Sequence, residues 1–202
     1  MYNFNYHAPN TIEDCIKIFN SADFPKYLAG GMTLIPSLKQ KLSAPTDIID
    51  LQNIKILKGI YLNDNKQVTI GALNTHNEIA KNKIIQENIK GLSYLASNIA
   101  DNAIRNLGTI GGSICNSDPA ADYPAALLSL NATIMTNKRN INAKDFFIDM
   151  FETALADDEI VLSISIPMST NSYYMKFASQ ASKYAIVGLF GSCKDNIVKL
   201  SI

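Results

Sequence analysis

Along the first 54 residues of this 202-residue chain, apolar residues follow two patterns: a spacing of three and four residues, and short continuous runs. Apolar side chains at three- and four-residue spacing predict amphipathic helices over residues 12–20 and 32–42, and Thr11 is the expected N-cap of the first. Short apolar runs predict strands, at residues 4–7, 26–29 and 47–51. This order of strand, helix, strand, helix and strand predicts a small α/β lobe with a parallel sheet.

After residue 54 the pattern becomes typical of antiparallel strands. Apolar runs at 57–62 and 66–73 flank an Asn/Asp-rich turn, which predicts a hairpin. Thr75 and Glu78 predict a capping box for a helix that begins at His76, a residue expected to lie at the surface. Further elements are predicted from the same periods, at residues 89–101, 120–130, 132–135 and 160–166. The predicted fold class is therefore α+β, with a small α/β lobe and a larger, mainly antiparallel lobe.

Two glycine-containing stretches carry the strongest functional signal. In residues 27–36, Gly30 and Gly31 separate a predicted strand from a predicted helix, which directs free backbone N–H groups and the positive end of the helix dipole to one spot. In residues 103–113, three glycines fall within five residues around Thr109. Neither stretch has the Rossmann or the P-loop spacing. Either alone is also typical of an ordinary glycine turn, but together they favour a ligand with two linked phosphates, such as a dinucleotide.

Composition narrows the function classes. The chain is 47% hydrophobic, has zero formal net charge and contains only two arginines, Arg105 and Arg139, so it lacks the basic face of a nucleic-acid or membrane-surface protein. No apolar run is long enough to span a bilayer and the N-terminus lacks a signal-peptide pattern, so we expect a cytoplasmic protein. The three cysteines are widely spaced, so any metal chemistry is expected on a partner.

The two glycine stretches also carry a family resemblance. Residues 29–33 (Ala-Gly-Gly-Met-Thr), 104–113 (Ile-Arg-Asn-Leu-Gly-Thr-Ile-Gly-Gly-Ser) and 118–124 (Asp-Pro-Ala-Ala-Asp-Tyr-Pro) resemble the FAD-binding medium subunit of molybdenum hydroxylases. That family includes the medium subunit of aerobic carbon monoxide dehydrogenase and the flavin portion of xanthine dehydrogenase. The resemblance covers nearly the whole chain, and it implies that FAD lies between the two lobes.

The resemblance also implies a set of cofactor-binding residues. Backbone N–H groups of 29–33 and 109–113 would hold the pyrophosphate, and Asp122 would hydrogen-bond the cofactor. Ile99, Ile160 and Tyr184 would lie near the flavin ring, and Lys176 would lie at the ring's polar edge, where a cation stabilises negative charge on the reduced flavin. The full set implied is Ala29, Gly30, Gly31, Met32, Thr33, Ile99, Thr109, Ile110, Gly111, Gly112, Ser113, Asp122, Ile160, Lys176 and Tyr184. No catalytic residue and no metal ligand is implied in this chain.

The implied function is electron transfer within an oxidoreductase. A large partner subunit would carry the molybdenum cofactor, a small partner subunit would carry 2Fe-2S clusters, and this chain's FAD would pass the electrons to an acceptor such as NAD or a quinone. Two alternatives stay open: a stand-alone flavin oxidoreductase similar to the enolpyruvyl-sugar reductases, and a scaffold subunit that has lost flavin.

The resemblance also implies a domain division. Residues 1–168 would form the FAD-binding domain, with lobes at about 1–54 and 55–168. Residues 169–202 would be the start of a C-terminal α+β flavoprotein domain that is truncated here.

Overall fold

A computed structural model describes residues 1–169, 171–194 and 196–202. The first lobe contains β1 (Asn5–His7), α1 (Ile12–Ser21), β2 (Pro25–Leu28), α2 (Leu34–Lys39) and β3 (Asp47–Asp50). Its three strands are parallel in the order β1-β3-β2, so the predicted α/β lobe is confirmed. The Thr11 hydroxyl accepts a hydrogen bond from the Asp14 amide and caps α1, as predicted.

The second lobe is built on a five-stranded antiparallel sheet. In chain order it contains a 3-10 turn (Lys55–Leu57), β4 (Ile60–Leu62), β5 (Gln67–Gly71), α3 (His76–Lys81), α4 (Lys83–Asn88), α5 (Lys90–Ser97), α6 (Asn102–Leu107), α7 (Ile110–Asn116), α8 (Tyr123–Ser129), β6 (Thr133–Thr136), β7 (Asn140–Asn142), α9 (Ala143–Phe146), β8 (Phe147–Asp149), β9 (Glu152–Thr153) and β10 (Val161–Pro167). The sheet order is β4-β5-β10-β6-β7. The central strand β10 is largely buried rather than half-buried as its alternating pattern predicts, because α7 and the 3-10 turn also pack against it.

The predicted helix over 89–101 ends earlier than expected, because α5 stops at Ser97 and α6 begins only at Asn102, beyond the predicted range. Between the two helices, Ala100 adopts a positive φ of 41°, which is incompatible with a continuous helix, and the Asp101 side chain accepts a hydrogen bond from the Ile104 amide at 2.9 Å as the N-cap of α6. The predicted capping box of α3 is confirmed, since the side chains and amides of Thr75 and Glu78 bond reciprocally. Gly108 follows the end of α6, whereas Gly111 and Gly112 lie in the first turn of α7.

A third sheet contains β11 (Asn171–Ala178), β12 (Ala185–Lys194) and β13 (Ile197–Ser201), all antiparallel. One face packs on α5 and α8 and buries Tyr174 and Phe190. The opposite face exposes apolar side chains, among them Tyr173, Met175 and Phe177. No helix among the residues described is long and apolar enough to cross a membrane.

Two apolar clusters hold the lobes. The larger one fills the second lobe, and the smaller one joins the lobes by packing Cys15 and Ile49 with Leu57, Leu73 and Ile160. Burying these side chains is worth about 1.5–3 kcal/mol each. The smaller cluster closes the base of the space between the two lobes, and this space is a cleft.

Candidate cofactor-binding cleft

A cleft of about 640 Å³ runs between the two lobes and is lined by both glycine stretches. Most of the residues expected at the cofactor lie along it: Ala29, Gly30, Gly31, Met32, Thr33, Ile99, Thr109, Gly111, Gly112, Ser113, Asp122, Ile160 and Tyr184. Ile110 and Lys176 do not line the cleft. The geometry therefore brings residues distant in sequence to one concave surface.

The first glycine loop, defined as residues 29–33, joins β2 to α2. Gly31 has a φ of +73°, a conformation that favours glycine, and a Cβ built at Gly30 would lie 2.1 Å from the Leu107 carbonyl oxygen. Within the described parts of the chain, no main-chain carbonyl accepts a hydrogen bond from the amides of residues 30–34. Unpaired consecutive amides at a cleft wall form a site suited to an anion, because each N–H directs a partial positive charge outward without a counter-charge. This loop therefore fits the diphosphate of a dinucleotide.

The second glycine loop, defined as residues 108–113, is held differently. The Ile110 amide donates to the Asn74 carbonyl at 3.1 Å, and the Gly111 amide donates to the Ala72 carbonyl at 2.9 Å. The Thr109 hydroxyl accepts a hydrogen bond from the Gly112 amide at 3.1 Å, and the Thr109 carbonyl accepts one from the Ser113 amide at 3.0 Å.

The amides of residues 110–113 thus already have acceptors, contrary to the expectation that they are free for a phosphate. They are occupied because the stretch caps α7 and docks on the segment after β5. The Ile110 side chain is fully buried in the second-lobe core instead of facing the cofactor. The stretch contributes to the cleft through Thr109, Gly111, Gly112 and Ser113.

A buried charge cluster borders the cleft at the start of α8. The Lys176 ammonium lies 2.8 Å from Asp122 Oδ1 and 3.2 Å from the Asn98 carbonyl oxygen, and the Tyr174 hydroxyl donates to the same Oδ1. Burial and the bond to Asp122 raise the pKa of Tyr174, so its hydroxyl stays protonated. Lys176 therefore neutralises the charge of Asp122 without lining the cleft, whereas the resemblance implied a position at the polar edge of the flavin ring.

Asp122 itself lines the cleft and keeps one oxygen available. In the part of the chain that the structure describes, its Oδ2 accepts no hydrogen bond from a protein donor. A fixed carboxylate with a free oxygen can accept a hydrogen bond from a ligand hydroxyl or N–H group.

The chain's two arginines each brace one wall of the cleft, a role that composition alone did not indicate. Arg105 donates to the carbonyls of Ile99 and Ala100, at 2.7 and 2.9 Å, and so fixes the turn that carries Ile99. Arg139 binds Glu159 with its Nε 3.1 Å from Oε1. This pair fixes the segment that carries Ile160.

Glu159 fixes this second wall of the cleft through several hydrogen bonds. Its side chain is fully buried and also accepts from the Thr136 hydroxyl (2.7 Å) and the Ala156 amide (3.0 Å). Burial raises the pKa of the carboxyl, but the bonds from Arg139, Ala156 and Thr136 outweigh it and lower the pKa to about 2. Glu159 is therefore ionised throughout the neutral range.

His76 is buried, which shows that the prediction of a surface position is wrong. Its Nδ1 lies 3.0 Å from the hydroxyl of Tyr123, and the ring borders the cleft. Burial, with the charge of Arg105, lowers the pKa of His76 to about 4. The capping-box pattern correctly indicated where the helix begins, but it carries no information on the loop that later covers this end: the His76 amide donates to the Gly108 carbonyl at 3.0 Å.

Comparison with known proteins agrees with this arrangement. Residues 2–169 match the family described as the FAD binding domain in molybdopterin dehydrogenase. The chain is 33% identical to the glyceraldehyde dehydrogenase medium chain of Sulfolobus acidocaldarius, with 92% of this chain and 68% of that one covered. It is 31% identical to the carbon monoxide dehydrogenase medium chain of Hydrogenophaga pseudoflava, with 92% and 67% covered. The chain thus spans about two thirds of the length of these relatives.

Solved structures give the same result. A chain of the Hydrogenophaga pseudoflava carbon monoxide dehydrogenase that lacks the Mo-pyranopterin moiety superimposes with a TM-score of 0.92 at 28% identity, over 98% of this chain and 74% of that chain. Quinoline 2-oxidoreductase from Pseudomonas putida 86 gives a TM-score of 0.90 at 26% identity, over 95% of this chain and 69% of that chain. The chain therefore belongs to the FAD-binding domain family of molybdopterin dehydrogenases, and its cofactor is FAD.

Proposed function

We propose that this chain is the FAD-carrying electron-transfer subunit of a molybdenum hydroxylase complex in the cytoplasm. It would take electrons from 2Fe-2S clusters on a small partner subunit and deliver them to an acceptor such as NAD or a quinone. Substrate oxidation would occur at a molybdenum cofactor on a large partner subunit. The relatives named medium chains support a hetero-oligomer, and the unpaired amides of the first glycine loop are the observation that carries the cofactor assignment.

The chain's own residues would bind and orient the cofactor. The amides of 30–34 would hold the diphosphate, and Asp122 Oδ2 would accept a hydrogen bond from a cofactor hydroxyl or ring N–H group. Ile99 and Ile160 would pack on the ring and exclude water. When bound, FAD supplies the redox chemistry, and the protein supplies position and electrostatics.

We further propose that residues 1–168 form the FAD-binding domain and that residues 169–202 begin a C-terminal flavoprotein domain. The exposed apolar face of the third sheet supports this division, since a contiguous apolar face of this kind is normally covered. The greater length of the relatives supports it as well.

Flavin binding tests the proposal. We would titrate FAD into the purified chain and follow quenching of flavin fluorescence in the wild type, Gly31→Ala and Gly59→Ala. Gly59 is a matched control because it also has a positive φ (+120°) but has open space around it and does not line the cleft. We expect Gly31→Ala to weaken FAD binding at least about tenfold, because the strained φ displaces unpaired amides. Gly59→Ala should bind FAD like the wild type.

The acceptor is tested on the same material. The FAD-loaded chain would be reduced with dithionite and mixed with NAD or a ubiquinone analogue, and the recovery of the oxidised flavin absorbance would be timed. Rapid recovery with one acceptor supports electron transfer and identifies the acceptor class. A folded chain that binds no FAD would contradict the proposal and favour a scaffold that has lost flavin.

A further inference from the structure

We propose that His76 is a further cofactor-binding residue, whose Nε2–H group donates a hydrogen bond to an oxygen of the FAD diphosphate. The inference rests on the proposed function, because it requires FAD in this cleft. Neither the glycine pattern nor the family resemblance pointed to this side chain.

The first argument is the state of the two ring nitrogens. Nδ1 is engaged by the Tyr123 hydroxyl at 3.0 Å. Nε2 has no hydrogen-bond partner among the described residues. Unlike the unpartnered Tyr27 Oη and Ser169 Oγ, however, it is not fully buried. Since the ring borders the cleft, Nε2 is open to a ligand there.

The second argument is where Nε2 lies. A Cβ built at Gly108 would be 2.7 Å from Nε2, so glycine at this position leaves the nitrogen uncovered. A Cβ built at Gly30 would be 2.9 Å from the Gly108 Cα atom. His76 therefore lies beneath the contact between the two glycine loops, next to the loop with the unpaired amides.

The third argument is the tautomer. Tyr123 is fully buried, and burial, with the charge of Asp122, raises its pKa well above the usual range, so its hydroxyl keeps its proton. If that hydroxyl donates to Nδ1, the proton of the neutral ring is on Nε2 and faces the cleft. The lowered pKa of His76 keeps the ring neutral at pH 7. A neutral N–H donor to a phosphate oxygen adds to the neutral amides of the first loop without an additional charge.

The chain offers a clean spectroscopic test because His7 and His76 are its only histidines. His7 pairs with Asp47 at 2.7 Å and does not line the cleft, so it is an internal control. The full chain, labelled with 15N-histidine, would be recorded at pH 7 alone and with FAD, ADP or riboflavin. ADP carries the diphosphate without the flavin ring, and riboflavin carries the ring without phosphate.

We expect His76 in the Nε2–H form, with its Nε2 signal shifted by FAD and by ADP but not by riboflavin, while the His7 signals stay in place. An Nδ1–H form, or a His76 signal that does not move although fluorescence quenching shows bound FAD, would overturn the inference and leave the proposed function intact. A shift with riboflavin but not with ADP would also overturn it. Absence of FAD binding would overturn both.

Two variants separate hydrogen bonding from packing. His76→Phe keeps an aromatic ring but removes Nε2, and we expect FAD to bind about tenfold to a hundredfold more weakly. Tyr123→Phe removes the hydroxyl but leaves Nε2 in place, so the loss should be several times smaller. Thermal melts verify that both variants fold. Equal losses in the two variants would show that only the shared His76–Tyr123 hydrogen bond matters, with no contribution from Nε2, and would contradict the inference.

Discussion

The two glycine loops look alike in sequence but differ in how their amides are used. In the first loop and the start of α2, the amides of residues 30–34 have no main-chain acceptor among the residues described. In the second, the amides of 110–113 all donate within the protein. Glycine content thus predicts which segments approach the cofactor. Only a segment whose amides have no acceptor within the protein can donate hydrogen bonds to the cofactor's phosphates.

The difference arises from what lies beside each loop. The second loop docks along the segment between β5 and α3, where Thr75 and Thr109 form a β-bridge and the Gly108 carbonyl accepts from the His76 amide. The first loop leaves the end of β2 and turns directly into α2, so its amides have no neighbouring strand to pair with. We infer that the second loop is a rigid wall and the first loop the anion-binding element.

The largest effect on the second glycine loop is expected at Gly111. A Cβ there would lie 2.7 Å from both the Cβ atom and the carbonyl oxygen of Ala72, so Gly111→Ala should overpack the core and lower the free energy of unfolding by about 3 kcal/mol. Urea denaturation measures this change.

Gly112→Ala is the matched control for that variant. Its Cβ would meet the Thr109 hydroxyl at 2.9 Å and the Ala29 Cβ atom at 3.6 Å, on the cleft side. We expect a smaller loss of stability than in Gly111→Ala but weaker FAD binding. Equal stability losses in the two variants would contradict the view that the second loop is docked through Gly111.

The cleft wall next to Glu159 is fixed by side-chain hydrogen bonds rather than by loop amides, so it provides an independent comparison for the two glycine loops. Because the pKa of Glu159 is lowered to about 2, its contribution to stability is complete above the unfolded value of 4.5 and is lost as the pH falls toward 2. Glu159→Gln should lower the free energy of unfolding by about 2 kcal/mol at pH 7.

The difference between the wild type and Glu159→Gln should shrink between pH 4.5 and 2, as followed by urea denaturation at each pH. Asp158→Asn is the control, because that neighbouring carboxylate pairs with Lys138 at the surface. A difference that stays constant with pH would show that the ionised Glu159 is not what braces the segment.

The smallest expected effect is at the cap of α7. Thr109→Val removes the hydroxyl that accepts from the Gly112 amide and should lower the free energy of unfolding by about 1 kcal/mol, while Thr109→Ser should be close to the wild type. The same change releases one amide in the second loop. If Thr109→Val strengthened FAD binding markedly, that loop would be a latent anion site rather than a wall.

Much of the fold could be predicted from local pattern. The capped helices α1 and α3 and the hairpin of β4 and β5 depend on residues close in sequence. The parallel first lobe follows from the alternating order of its strands and helices. The helix predicted over 89–101 ends at Ser97 instead, because the prediction included Asp101, which is the N-cap of the separate helix α6.

The site was less predictable because its contacts are long-range. His76 contacts the Tyr123 hydroxyl, 47 residues away, and Lys176 contacts the Asn98 carbonyl, 78 residues away. A pattern of residue types indicates neither partner. The resemblance located the cleft-lining residues, but only the structure indicates which of their polar groups are already occupied.

Amide hydrogen exchange with and without FAD reports on each glycine loop separately, so it distinguishes an anion-binding loop from a rigid wall. We predict that the amides of 30–34 exchange rapidly in the free chain and slowly with FAD, whereas those of 110–113 exchange slowly in both. Protection that FAD adds to 110–113 but not to 30–34 would show that the second loop, and not the first, holds the diphosphate.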